Sequence, residues 1–294
     1  MKQMMNAKRV MTASAILLVM SMGMTSCTSC ISEWSTKTFV SSGPQVTEVR
    51  QLKGFEEIVI SGNPRVCYTQ ADSFSVRVKG TQEAVDNILT DVDGKTLSIR
   101  NRGKMNLINI SLDDSNNLTV YVTSPDLTSI HLNGSGDFEV SGQVDTDHMD
   151  IVLRGSGDIN MQDIICDRCD VELIGSGDIS LGSLEALNAS AMLVGSGDMS
   201  LKLLRVKDIH LSLKGSGDIE ADFKEGCGAV NCELRGSGDI SLRGTVMKFN
   251  QHKSGSGDID IDQLTLIKSS IKYIKMFRFL IINDYFCRII EANR

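Results

Sequence analysis

The sequence predicts an all-β protein, a parallel β-helix whose coils take about 20 residues each, and three observations carry that expectation. The tetrapeptide Gly-Ser-Gly-Asp occurs seven times at a nearly fixed interval. Apolar and polar residues alternate around each copy. The 294-residue chain holds 26 glycines but only three prolines and 5% aromatic residues, too few bulky anchors for a conventional globular core.

The copies begin at Gly134, Gly155, Gly175, Gly195, Gly215, Gly236 and Gly255, with successive spacings of 21, 20, 20, 20, 21 and 19. A period in this range marks a solenoid or an array, in which each unit buries its apolar side only against its neighbours. Residue parity decides the type of unit. Ile209, Leu211 and Leu213 share odd positions with Gly215, Gly217, Ile219 and Ala221, while His210, Ser212, Lys214, Ser216, Asp218 and Glu220 between them are polar. The same frame holds at Val171, Leu173, Gly175, Gly177, Ile179 and Leu181, and from Val230 to Leu242. A period of two over a dozen residues means extended chain with one buried face. The glycines thus fall on the inward parity, at a bend where the interior narrows and the backbone needs positive φ. Ser and Asp, facing outward, hydrogen-bond nearby backbone and fix the bend. Leucine-rich repeats have similar periods, but their L-x-x-L-x-L-x-x-N pattern is absent.

Upstream, residues 46–130 lack the tetrapeptide but keep the alternation. Phe55 to Ile60 lead to the turn Ser61-Gly62-Asn63-Pro64, Ser73 to Lys79 alternate, Thr81 to Leu89 suit a short helix or loop, and Asp93-Gly94 separates two runs as a hairpin turn does. This part reads as irregular first coils or a cap, residues 131–263 as the regular repeats. From Leu264 to Arg294 the repeat stops, and six basic side chains stand against two acidic ones, which suits a divergent basic tail or a cap on the last coil.

The first 26 residues read as an address. Lys2, Lys8 and Arg9 form a basic start, Val10 to Met22 an apolar stretch too short for a mature bilayer span, and Met24-Thr25-Ser26 precede Cys27. Met24 to Cys27 resembles a lipobox, although Met stands where Leu is usual. Residues 1–26 are therefore expected to be a lipoprotein-type signal peptide, Cys27 the lipidated residue, and residues 27–45 a linker. Setting aside three basic residues at the start and a basic excess of four in the tail lowers the net charge from -7 to -14 over residues 27–263. Such an acidic body repels nucleic acid, so no nucleic-acid partner is expected.

Three features together resemble a known family, the auto-transporter adhesin head GIN domain. They are the F-x-x-I-x-I-S-G opening at Phe55, Ile58, Ile60, Ser61 and Gly62, the V-x-D-G-x-L-x-I segment at Val92, Asp93, Gly94, Leu97 and Ile99, and the recurrent Gly-Ser-Gly-Asp blocks. The resemblance covers about residues 46–263. It implies a right-handed parallel β-helix on an exported envelope protein with an adhesin-like role; with the lipobox, an outer-membrane lipoprotein is the expected location, and a glycan or protein ligand on the lateral face the expected partner. It offers no catalytic residues.

Candidate chemistry centres on Asp137, Asp158, Asp178, Asp198, Asp218, Asp239 and Asp258, which stacked coils would set in an outward row. The structural reading makes them turn-formers; the alternative is Ca²⁺ held by hard oxygen ligands, with Arg154, Lys214 and Arg235 as competing neutralisers. Cys166-Asp167-Arg168-Cys169 has redox or zinc-ligand spacing without a second pair, and Cys169 and Cys232 share the inward parity, so core packing is the default. A Cys166 to Cys169 or a Cys227 to Cys232 bridge stays open. His131, His148, His210 and His252 have no nucleophile partner. No catalytic residue, cofactor or metal is expected. A carbohydrate-active β-helix enzyme is the rival reading, and it needs convergent carboxylates instead of a regular row.

Overall fold

The alternating runs become strands in the order the parity implies. The computed structural model describes residues 44–103 and 118–267. The strands are β1 (Gln45–Arg50), β2 (Glu57–Gly62), β3 (Arg65–Gln70) and β4 (Ser75–Thr81), then the short helix α1 (Gln82–Asp86), β5 (Ile88–Asp93), β6 (Thr96–Asn101) and β7 (Thr119–Ser124). The regular part follows as β8 (Ser129–Gly134), β9 (Asp137–Asp145), β10 (His148–Gly155), β11 (Asp158–Gly175), β12 (Ile179–Gly195), β13 (Met199–Gly215), β14 (Ile219–Gly236), β15 (Ile240–Gly255) and β16 (Ile259–Leu266). The last strand runs past the expected boundary at Leu264 and ends with Ile267 N–H on Val246 O at 2.9 Å. The predicted signal peptide, Cys27, most of the linker and the tail from residue 268 lie outside the described residues. No helix among the described residues is long and apolar enough to cross a membrane.

Each coil consists of a strand, a tight turn and a second strand, and the coils pair in parallel. The glycines align through the stack, Gly134 with Gly155, then Gly175, Gly195, Gly215, Gly236 and Gly255. Within β11 the buried side chains are Ile159, Met161, Ile164, Cys166, Cys169, Val171 and Leu173. The inward frame therefore slips one residue after Met161 and again after Cys166. The first slip coincides with a register shift between Met161 and Asp163, the irregularity by which an extended chain bends. Simple alternation is correct around the glycines and fails at these other two corners.

The order of coils in space differs from their order in sequence at one end. β2 lies between β6 and β8, and β3 between β7 and β9, all in parallel. The coil made by β2 and β3 is thus flanked by one built later, from β6 and β7, whose connection through residues 104–117 lies outside the described residues. Beyond them β5 pairs antiparallel with β6, through the hairpin that Asp93-Gly94 predicts, while β4 adds antiparallel to β7 and β1 adds antiparallel to β4. α1 occupies the Thr81 to Leu89 segment, and Thr81 Oγ1 caps it by accepting Ala84 N–H at 3.4 Å. Aromatic packing concentrates here, with Phe55 edge-on to Phe74 at 5.2 Å and Tyr68 stacked on Phe138 at 6.3 Å. The Tyr68 hydroxyl meets Ser124 Oγ at 2.9 Å, and burial pushes its pKa up to about 12.

Candidate functional site

The aligned turns form a column, and its chemistry begins with the missing side chains. The first glycine of each turn has positive φ, from 130° at Gly255 to 146° at Gly215. A Cβ on Gly195 would lie 2.0 Å from the Gly175 carbonyl oxygen, and one on Gly197 would lie 1.9 Å from that of Gly177. A side chain would run along the stack into the preceding coil. Close backbone approach, more than narrowing of the interior, therefore explains the second glycine, since its φ is not positive. The approach makes a three-centre bond: Ser196 and Gly197 N–H both donate to Gly175 O, at 2.9 and 3.3 Å, and the pair recurs at Gly134, Gly155, Gly195 and Gly215.

The aspartates form a second ladder on the outer side. Asp178 N–H donates to Asp158 Oδ1 at 3.2 Å, Asp198 to Asp178 at 2.9 Å, Asp218 to Asp198 at 3.0 Å, Asp239 to Asp218 at 2.9 Å and Asp258 to Asp239 at 2.6 Å. Each of these carboxylates therefore satisfies the backbone of the next coil, not of its own bend. At the head of the row, Asp137 is raised above the usual carboxylate range, first by burial and then by the charge of Asp158. Among the described residues no three His, Cys, Asp or Glu side chains converge as metal ligands would.

Two of the three expected neutralisers, Arg154 and Arg235, go elsewhere. Arg154 pairs with Glu172 at 2.9 Å and Arg235 with Glu233, because on the strand face the nearest carboxylates belong to those glutamates. Lys253 closes the last member of the row by bonding Asp258. In the first coil Arg65 stands in register with Asp137 and pairs with Glu139 at 2.6 Å.

The turn Gly62-Asn63-Pro64 occupies the column's end, and sequence reading did not recognise it as a member. Gly62 O accepts Ser135 and Gly136 N–H at 2.9 and 3.1 Å, the pattern repeated at Gly134, Gly155, Gly175, Gly195 and Gly215. Asn63 N–H is held by Asn101 Oδ1 at 3.2 Å, and Pro64 has no N–H to satisfy. The only signal in the sequence is the shared approach, Ile58 and Ile60 before Gly62 against Ile130 and Leu132 before Gly134.

The strands before the turns present a continuous outer face. Asp150, Asp170, Ser190, His210, Asn231 and Asn250 make one column, and Arg154, Ile174, Val194, Lys214 and Arg235 another. Ile174, Met192 and Val194 are half-buried at its centre. Ordered polar pairs surround them, among them His131 to Asp150 at 2.9 Å, Arg168 to Asp170 at 2.7 Å and Asn250 to Asn231 at 2.7 Å. His210 and His252 are exposed on this face. Cys166, Cys169, Cys227 and Cys232 are buried free thiols.

A family model described as "Putative auto-transporter adhesin, head GIN domain" matches residues 54–229. Among solved structures, the chain is similar to a "putative adhesin" from Bacteroides fragilis NCTC 9343, at 25% identity and a TM-score of 0.66, covering 74% of this chain and 97% of that one. Two proteins of Parabacteroides distasonis ATCC 8503 share the fold over the same shares of chain. One is described as a "putative adhesin", at 18% identity and a TM-score of 0.59, the other as a "putative lipid binding protein", at 22% and 0.57. No curated protein matches the chain.

Proposed function

The chain belongs to the auto-transporter adhesin head GIN domain family, and from that premise we propose that it is a non-catalytic, adhesin-like binding module of the cell envelope, held to the outer membrane by a lipid on Cys27. One observation carries the reading. The acidic row, the best candidate for chemistry, is already engaged by backbone N–H groups of the neighbouring coils, which leaves the lateral face before the turns as the surface free to recognise a ligand. An apolar centre ringed by ordered charges has the composition of a protein recognition surface, and its polar columns equally suit a glycan.

The test is a glycan and matrix-protein array probed with the chain lacking residues 1–27. Binding that falls at least tenfold in the double variant M192D/V194D, at unchanged melting temperature, supports the face; undiminished binding removes it. Anchoring is separable, because labelled palmitate should enter the wild type in cells and not Cys27→Ser. Label retained in that variant ends the lipid assignment.

A further inference from the structure

The corner at Cys166 and Cys169 is not used by the proposed binding role. β11 bends there through Asp167 and Arg168, whose N–H groups both donate to Asp147 O, at 3.0 and 3.3 Å. Cys166 and Cys169 flank the bend, both inward and 4% and 0% exposed, with two residues between them across the corner. In the stack Cys166 aligns with Ala186, Val206 and Cys227, and Cys169 with Ala189, Ile209 and Val230. Each of these coils therefore sets a pair of side chains across this corner, and one of them makes both members cysteine. The coil directly above offers the smallest pair, Ala186 and Ala189, so only methyl groups press on the two sulfurs from that side. Cys227 and Cys232 do not repeat the arrangement. Cys227 faces Val230 across its corner, while Cys232 belongs to the column of Val171 and Leu211.

We propose that Cys166 and Cys169 form an intramolecular disulfide that closes this corner, made by exchange with a disulfide oxidant such as oxidised glutathione. One cysteine thiolate attacks the oxidant and releases one of its thiols, and the second attacks the mixed disulfide and releases the other. Two thiol protons are lost, one S–S bond forms in the protein and the oxidant's S–S bond is reduced. The neighbouring Cys166 thiol and burial hold the Cys169 thiol well above its ordinary range, so exchange proceeds before the neighbouring coils cover the corner, and the finished bridge is then shielded from reductant.

Trypsin cuts after Arg168, between the two cysteines, which makes the bridge directly visible. The full chain is unfolded in guanidinium chloride, refolded in glutathione mixtures, blocked with iodoacetamide and digested without reductant. The expected product is Gly155–Arg168 joined to Cys169–Lys202, lighter by two hydrogens than the separate peptides and released by reductant. Alkylated Cys166 and Cys169 at every glutathione ratio overturn the proposal, as does linkage of either to Cys67, Cys227 or Cys232. The double variant C166A/C169A copies Ala186 and Ala189 and should fold. Reductant added during refolding should lower the melting temperature of the wild type by a few degrees and leave that variant unmoved; an equal response in both contradicts the bridge. Neither readout depends on ligand binding or anchoring.

Discussion

The two ends of the turn column differ in how they finish the same hydrogen-bond ladder. Backbone N–H groups at each turn point to the preceding coil and the glycine carbonyl to the following one, so one end is left with donors and the other with acceptors. At the donor end Asn101 takes Asn63 N–H, Pro64 removes the second donor, and antiparallel β5 and β4 lie further out on the two faces. At the acceptor end, among the described residues, Gly255 is exposed, the Asp258 carboxylate bonds the Lys253 side chain and not the N–H of a further coil, and the apolar Ile261 and Leu266 are 37% and 55% exposed. The asymmetry follows from chemistry, since an orphaned N–H is rarer in folded proteins than an under-satisfied carbonyl. A donor end needs a dedicated terminator, whereas an acceptor end tolerates water.

The largest test compares one exchange at two heights in the column. Gly195→Ala puts a Cβ against backbone where coils press from both sides, at φ 143°, and should cost about 4 kcal/mol or more in guanidinium denaturation. Gly255→Ala meets the Gly236 oxygen at 2.1 Å, yet its coil can fray alone, so the loss should stay near about 1–2 kcal/mol. Equal losses would mean that the final coil is held as firmly as the interior. A smaller effect belongs to the donor end: Asn101→Ala leaves Asn63 N–H without its acceptor and should cost about 1–2 kcal/mol, and an unchanged denaturation midpoint would remove Asn101 as the terminator.

The smallest concerns the head of the aspartate row. Because the folded-state pKa of Asp137 is raised, its contribution favours folding fully below the unfolded value of 3.8 and is lost as pH rises through the folded value. Asp137→Asn should therefore stabilise the protein slightly at neutral pH and flatten the difference from wild type as pH falls toward 3.8. A variant that loses stability at neutral pH contradicts that sign.

Most of the architecture was legible because the repeat repeats its constraint. Gly195 and Gly197 recur for one steric reason in every coil, and Leu211, Leu213 and Ile219 keep one frame beside them. What stayed hidden depends on neighbours distant in sequence. The slips after Met161 and Cys166 leave no residue signature, since the corners carry different residues from coil to coil, Gln162-Asp163 in one, Gly182-Ser183 in the next and Leu204-Arg205 after that. The acceptor role of Asp178 toward Asp198 and the pairing of Arg154 with Glu172 appear only once coils are stacked. Asn63 and Pro64 escaped recognition because a terminal coil needs different groups from an interior one, so the end of a repeat is the part least like it.

The interleaving of β2 and β3 between strands made later fixes an order of assembly. A chain emerging from its N-terminus cannot lay down the β2 and β3 coil and simply continue, because one of its flanks stays bare until β6 and β7 have been synthesised. Residues 44–103 and 118–124 must therefore gather as one nucleus through contacts between remote segments, which is slow. From β8 onward every turn of the solenoid finds its template already in place, and growth proceeds by local addition, about 20 residues at a time.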